Sequence, residues 1–217
     1  MTDVRPDEQC RVLILSASLR DDSLNTRLAG LAADSIKASG AIAEVASMRE
    51  FDMESYDSDE ERTNGFPAAA EELRSRLEVS HAFMICSPEY NASIPGVLKN
   101  AIDWVSRFHP QPFHERHGML LSASPSMIGG NRGLWALRVP LEHLGARIYP
   151  DMFSLAQAHL AFDEQGRLAN PRLQERLETT IAGFLELAEA AMLYPRIKTA
   201  WIEFLGERPD PVIDRVE

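Results

Sequence analysis

Arg11-Val12-Leu13-Ile14-Leu15-Ser16-Ala17 is a compact and nearly all-apolar run. Four aliphatic residues in succession leave no polar face, as expected of a strand covered on both sides. The chain turns polar at Ser18. From Leu24 to Ser39 apolar residues return at helical spacing, with Leu28, Leu31, Ala32 and Ile36 on one face. Gly40 is a natural stop. A buried strand, a short polar loop and an amphipathic helix make the first half of a βαβ unit, and the rest of the chain repeats that alternation.

Residues 41–46 read as a weak second strand, 81–86 as a third, 118–123 as a fourth and 147–153 as a fifth. Helices are expected from Pro67 to about residue 79, over 95–107, over 134–144 and from Pro171 to about residue 193. The last of these carries Leu173, Leu177, Ile181, Phe184, Leu185 and Ala188 on one face. Residues 48–66 are polar; between Arg49 and Arg62 they hold seven acids and two bases, the pattern of a solvated loop. Residues 108–117 are irregular and broken by prolines. The sequence shows no repeat and no low-complexity segment.

The 217 residues are enough for one domain that buries about 70% of its unfolded surface, with no disulfide or metal needed as a staple. Against 22 basic residues stand 33 acidic ones, a formal charge of −11. That excludes a general nucleic-acid binder and attraction to anionic lipid, and it favours a self-repelling soluble protein. Cys10 and Cys86 stand far apart with no CxxC spacing, which suits a reducing compartment. The first ten residues carry no apolar run of the signal-peptide kind, and no stretch approaches the roughly 20 apolar residues of a membrane span. These features place the chain in the cytoplasm, with no membrane and no nucleic-acid partner.

Strands separated by helices imply right-handed crossovers and a five-stranded parallel sheet in a three-layer, doubly wound α/β domain. Ligands in such domains bind beyond the carboxyl ends of the strands. Three loops meet that description, and they are the three most distinctive stretches of the sequence.

The first contains Ser18, Arg20, Ser23, Asn25 and Thr26 between a buried strand and a helix N-terminus. Hydroxyls, an amide, a guanidinium and the free N–H groups of the helix are the donors a phosphate monoester wants. The plainer reading is an N-cap at Asp22 or Ser23 with Arg20 on the surface. GxGxxG and GxxxxGK(S/T) are both absent, so the loop is neither the dinucleotide fingerprint nor the nucleoside-triphosphate loop.

The second runs Ser87-Pro88-Glu89-Tyr90-Asn91-Ala92-Ser93-Ile94-Pro95-Gly96-Val97-Leu98-Lys99-Asn100-Ala101-Ile102-Asp103-Trp104. This stretch resembles the NAD(P)H-dependent FMN reductases and the related quinone, chromate and azo reductases of the flavodoxin-like fold. Their signature is a Pro-Glu-Tyr-Asn loop followed by Ser-x-Pro-Gly-x-Leu-Lys-Asn-Ala-Ile-Asp-Trp. The first loop is similar to the family's Ser-x-Arg-x-x-Ser-x-Asn phosphate motif, with Ala17 where the family commonly has Gly. The resemblance spans roughly residues 11–190. It implies that Ser18, Arg20, Ser23, Asn25 and Thr26 hold the FMN phosphate. It implies that Pro88, Glu89, Tyr90, Asn91 and Ser93 line one side of the flavin ring. Leu98, Ala101, Ile102 and Val105 read as ordinary core packing.

The third loop, residues 124–133, has glycines at 129, 130 and 133. In the family its backbone approaches the flavin, which makes Ser124, Ser126, Gly129 and Gly130 further candidate contacts; a plain flexible turn is the alternative. Met127 and Ile128 are large for such a loop and would shape the substrate opening. The resemblance implies hydride transfer from NADPH or NADH through FMN to a small acceptor such as a flavin or quinone, with no catalytic side chain and no metal. The alternatives are a flavodoxin-like electron carrier and a non-catalytic FMN-binding protein. Six bases and three acids between Gly96 and Arg147 make Arg107 and Arg132 candidates for a phosphate of the nicotinamide cofactor. His109, His114 and His117 match no common metal-ligand spacing and read as loop surface or a subunit contact. The chain thus divides into a leader (1–10), an FMN-binding domain (11–193) and an apolar C-terminal extension (194–217) that docks on its own domain or on a partner. A homodimer or homotetramer is expected.

Overall fold

The opening apolar run forms β1 (Arg11–Ser16), which lies inside a parallel sheet between β2 (Ile42–Ser47) and β3 (Ala82–Cys86). The structure, a computed structural model, describes residues 9–205, with side chains through residue 193. β1 alternates faces: Val12 and Ile14 enter the core on one side of the sheet, Leu13 and Leu15 the core on the other. This is why Val12–Leu15 include no polar position. The first core is closed by α1 (Leu24–Ala38) and the long α6 (Pro171–Leu205), through Leu28, Ile36, Ile181 and Phe184. The second is closed by α3 (Ala68–Glu78), α4 (Gly96–Val105) and α5 (Asn131–His143), through Leu73, Leu98, Ile102 and Leu137. Leu98, Ala101, Ile102 and Val105 are core residues, as their spacing implied.

The strand order is β2-β1-β3-β4-β5, with β4 at His117–Ala123 and β5 at Arg147–Ile148. The expected fifth strand over 147–153 is broken in two. After two residues the chain leaves the ladder, and β6 (Phe153–Leu155) rejoins β4 opposite Leu121. Pro150 sits in the gap; it has no N–H to donate and cannot serve inside a ladder.

The acidic stretch 48–66 is not a plain solvated loop. Met48–Phe51 form a 3₁₀ turn whose Met48 and Phe51 are buried, and Ser58–Asn64 form the short helix α2. The Asp57 side chain caps α2, and Asp59, Glu60 and Glu61 in its first turn complement the helix dipole. Asn100 and Trp104 on α4 fasten the stretch down. The Asn100 amide donates to Met53 O and Glu54 O and accepts from Tyr56 N, while Trp104 Nε1 donates to Glu54 O at 2.8 Å. Two residues of the signature therefore act as a fastener for a distant segment.

Three smaller expectations also shift. α5 starts at Asn131 rather than 134, and α6 runs on to residue 205 rather than ending near 193. His117 is a buried member of β4 rather than loop surface. The expected docking of the extension falls on side chains outside the described residues. No helix among the described residues is long and apolar enough to cross a membrane.

Candidate active site

In the order β2-β1-β3-β4-β5 the winding reverses between β1 and β3. Chains leaving those two carboxyl ends turn to opposite faces of the sheet, and a crevice opens between them. A cleft of about 240 Å³ lies there. The first loop supplies one wall with Ser18, Arg20, Ser23, Leu24 and Asn25. Pro88, Glu89 and Tyr90 from the second loop, and Ala123, Ser124 and Pro125 from the third, complete it.

The first wall is a set of donors. Ser23 is the N-cap of α1 and its Oγ accepts from Asn25 N at 3.2 Å and Thr26 N at 3.3 Å, which leaves its own O–H to give to a ligand. Ser18 Oγ accepts from Arg20 N at 3.3 Å and likewise keeps its proton. Both serines are buried apart from the cleft side. The capping and ligand-binding readings of this loop are therefore compatible in one residue, Ser23.

Asn25 has another task. It is buried, and its amide clasps both backbone groups of Ala123, the last residue of β4: Nδ2 donates to Ala123 O at 3.0 Å and Oδ1 accepts from Ala123 N at 2.9 Å. It lines the cleft while welding the first wall to the end of β4. Thr26 lies outside the lining, with its hydroxyl on Ser16 Oγ at 2.7 Å.

Across the cleft, Glu89 turns away from the opening. Its carboxylate, 8% exposed, takes Arg132 at 2.5 Å and the backbone N–H of Gly133 at 3.1 Å. It caps the start of α5 from a different loop, because Gly130, the local N-cap position, has no side chain to do so. Burial pushes the Glu89 pKa up, but the Arg132 and Gly133 bonds outweigh it and the net displacement is downward. The pair is thus fully formed above the ordinary glutamate range and is lost only as the pH falls below it. Tyr90 stands half exposed at the rim. Its N–H and C=O both pair with Ser93 across a tight turn whose central residues, Asn91 and Ala92, have φ of 52° and 61°. Asn tolerates that left-handed region best of the non-glycine residues. Asn91 and Ser93 stay beside the cleft rather than in its lining.

In the third loop Ser124 lines the cleft and bonds Ser126 Oγ at 3.0 Å, while Ser126 faces solvent. Gly129 and Gly130 have φ of 67° and 84° and are buried, outside the lining. A Cβ on Gly130 would collide with Ser122 Oγ, and one on Gly129 would meet Ala156 N at 2.8 Å. Their absent side chains let the loop pack on the sheet. Arg107 and Arg132 are both engaged, with Glu61 at 3.0 Å and with Glu89. Both cysteines are buried, and burial raises both thiols, Cys10 to about 11, so neither is a ready nucleophile. Leu24, Ala123 and Pro125 complete the lining without having been singled out by sequence. They are apolar neighbours of the polar residues that were, and carry no signal of their own.

Residues 10–160 match the family model of the NADPH-dependent FMN reductases. The chain belongs to that family. An NAD(P)H-dependent FMN reductase of Pseudomonas aeruginosa is 38% identical over 115 residues, which cover 52% of this chain and 62% of that protein. A probable NADPH:quinone oxidoreductase of Oryza sativa subsp. japonica is 35% identical over 173 residues, 77% of this chain and 83% of its own. Among solved structures, the flavoenzyme FerB, an NAD(P)H:acceptor oxidoreductase from Paracoccus denitrificans, superposes with a TM-score of 0.73 at 27% identity. That match covers 84% of this chain and 98% of FerB. This family member is an FMN-dependent oxidoreductase that draws its electrons from NAD(P)H.

Proposed function

We propose that the switch-point cleft holds FMN with its phosphate on the first wall and its ring between the second and third loops, and that the final acceptor is a small planar molecule such as a quinone or a free flavin. The observation that carries this reading is the pairing of two kinds of wall. Ser18 and Ser23 keep free hydroxyl protons beside the N-terminus of a 15-residue helix, and facing them stand Pro88, Tyr90 and Pro125, rigid and largely apolar. The donor set fits a phosphate monoester, and the opposite wall fits a planar heterocycle. When bound, FMN supplies the hydride relay between nicotinamide and acceptor.

The chain's own residues then have distinct duties. Ser18 and Ser23, at the positive end of the α1 dipole, bind the phosphate through their hydroxyls, with Arg20 as the exposed cation. Asn25 and Glu89 hold the walls at a fixed separation. Tyr90 and Ser124 face the ring from either side of the opening. Asn91, Ser93 and Ser126 flank it, while Thr26, Gly129 and Gly130 support it from behind. Met127 and Ile128, both exposed, border the acceptor entrance.

Self-association belongs to the same proposal. Trp135 and Val139, one turn apart on α5, are 58% and 69% exposed and form an apolar strip suited to a homodimer or homotetramer. A reducing compartment such as the cytoplasm suits the two unlinked thiols.

The test is titration of the purified protein with FMN, followed by anaerobic NADPH or NADH. Stoichiometric binding and loss of the visible flavin absorbance within seconds are expected. Binding without bleaching by either donor returns the chain to the electron-carrier reading, and absence of binding removes the cleft from consideration.

A further inference from the structure

The loop that this reading gives to a dianion carries two carboxylates and one guanidinium, and of the three only the guanidinium side chain lines the cleft. Arg20, Asp21 and Asp22 are consecutive, and the two acids have different partners. Asp21 is taken by Arg49, which reaches over from the 3₁₀ turn after β2: its guanidinium lies 3.0 Å from Asp21 Oδ1 and also donates to Leu19 O. Asp22 takes Arg20 itself. One carboxylate oxygen receives Arg20 Nη2 at 2.8 Å and Nε at 3.2 Å. Arg20 lines the cleft, so the cation placed to meet an incoming phosphate is already folded onto a competing anion of its own loop.

The pair is poorly protected. The two side chains are 70% and 81% exposed, so water can replace either partner and the pair opens at little cost. A phosphate seated on Ser18 and Ser23 would draw Arg20 away from Asp22 and would leave the Asp22 carboxylate unpaired in the same loop. Both effects act against the phosphate and neither touches the ring. A ligand that must first free its partner binds more weakly in proportion to the fraction already free.

We propose that Asp22 is a built-in competitor of the cofactor phosphate: it holds Arg20 when the site is empty, weakens the grip on phosphorylated flavin, and keeps FMN exchangeable. The inference rests on the placement of the phosphate given above. It assigns to the first loop a tuning residue that opposes the binding motif in which it stands. Asp21 pairs with Arg49 and not with Arg20, and so does not share the role.

The experiment measures dissociation constants of FMN and of riboflavin, which lacks the phosphate, for the full chain and for Asp22→Asn. Asn keeps the size of Asp and removes the charge. FMN is expected to bind the variant roughly two- to fivefold more tightly in low salt, the range set by an exposed ion pair. The gain should fade toward 1 M salt as screening shortens the reach of the carboxylate. Riboflavin affinity should not change, and Asp21→Asn should shift FMN by less than the Asp22 variant. In an Arg20→Ala background the gain from Asp22→Asn should shrink. Equal FMN affinity in the two proteins overturns the inference while leaving the functional reading intact. A parallel gain for riboflavin also overturns it, because Asp22 would then act through the fold of the loop. Failure of both proteins to bind FMN overturns the functional reading and the inference together.

Discussion

Two ion pairs of the same chemistry flank the cleft and differ in what they are attached to. Arg20–Asp22 lies within one loop, two residues apart, with both side chains in water. Arg132–Glu89 joins two loops 43 residues apart, and its carboxylate is sunk to 8% exposure with the Gly133 N–H as a further donor. The first loses little when it opens, since water replaces each partner. The second leaves a buried acceptor and a helix N-terminus unsatisfied when it opens. One wall of the cleft is built to hold its shape, while the outer part of the other can exchange partners.

The sharpest way to break this comparison is to spoil the wall that holds. Gly130→Ala adds a methyl at a φ of 84°, against Ser122 Oγ. A loss of about 3 kcal/mol of stability is expected, from left-handed backbone strain plus overpacking. Denaturant unfolding would show it, and a loss under 1 kcal/mol would mean that the third loop is free to shift. Glu89→Ala comes next. Uncapping α5 and freeing Arg132 should lower stability by about 1–3 kcal/mol, with Glu89→Gln losing less because its amide oxygen can still accept from Gly133 N; thermal unfolding of the two variants side by side is the check. Arg20→Ala is the smallest in stability, within about 0.5 kcal/mol of the parent as for an exposed surface substitution. Its effect belongs to the ligand: FMN should bind about 1.5–3 kcal/mol more weakly, the range for a hydrogen bond to a charged group. If Arg20→Ala destabilises the fold as much as Glu89→Ala does, the two pairs are alike and the contrast fails.

Much of the fold was legible because its central strands, β1, β3 and β4, are buried on both faces. A run such as Val12-Leu13-Ile14-Leu15 has few other uses, and the glycines at 40 and 145 mark helix ends that sequence can see. What escaped depends on partners far along the chain. α2 has no buried residue, so no hydrophobic period announces it; it is held by its Asp57 cap and by Glu61, which accepts from Tyr56 Oη and Arg107. The break in the fifth strand was announced by Pro150, but the apolar residues on both sides read as one run. At the site, the three loops were visible from their places after strands and, for the second, from its resemblance to the reductase signature. The separate duties of their side chains were not: Asn25 meets Ala123 across 98 residues, and Glu89 meets Gly133 across 44. A motif shows which residue types gather, and only the fold shows which are left free for a ligand.

The interrupted strand beside β4 has a consequence for how copies of this molecule meet. A long, flat outer strand is a template on which another chain can lay down β-structure. Here that border is a two-residue piece and a three-residue piece, with a proline between them. A foreign strand would find too few successive amides in line to bind on this side. Along this border the backbone itself disfavours growth by edge addition, and the mutual repulsion of chains of charge −11 acts in the same direction.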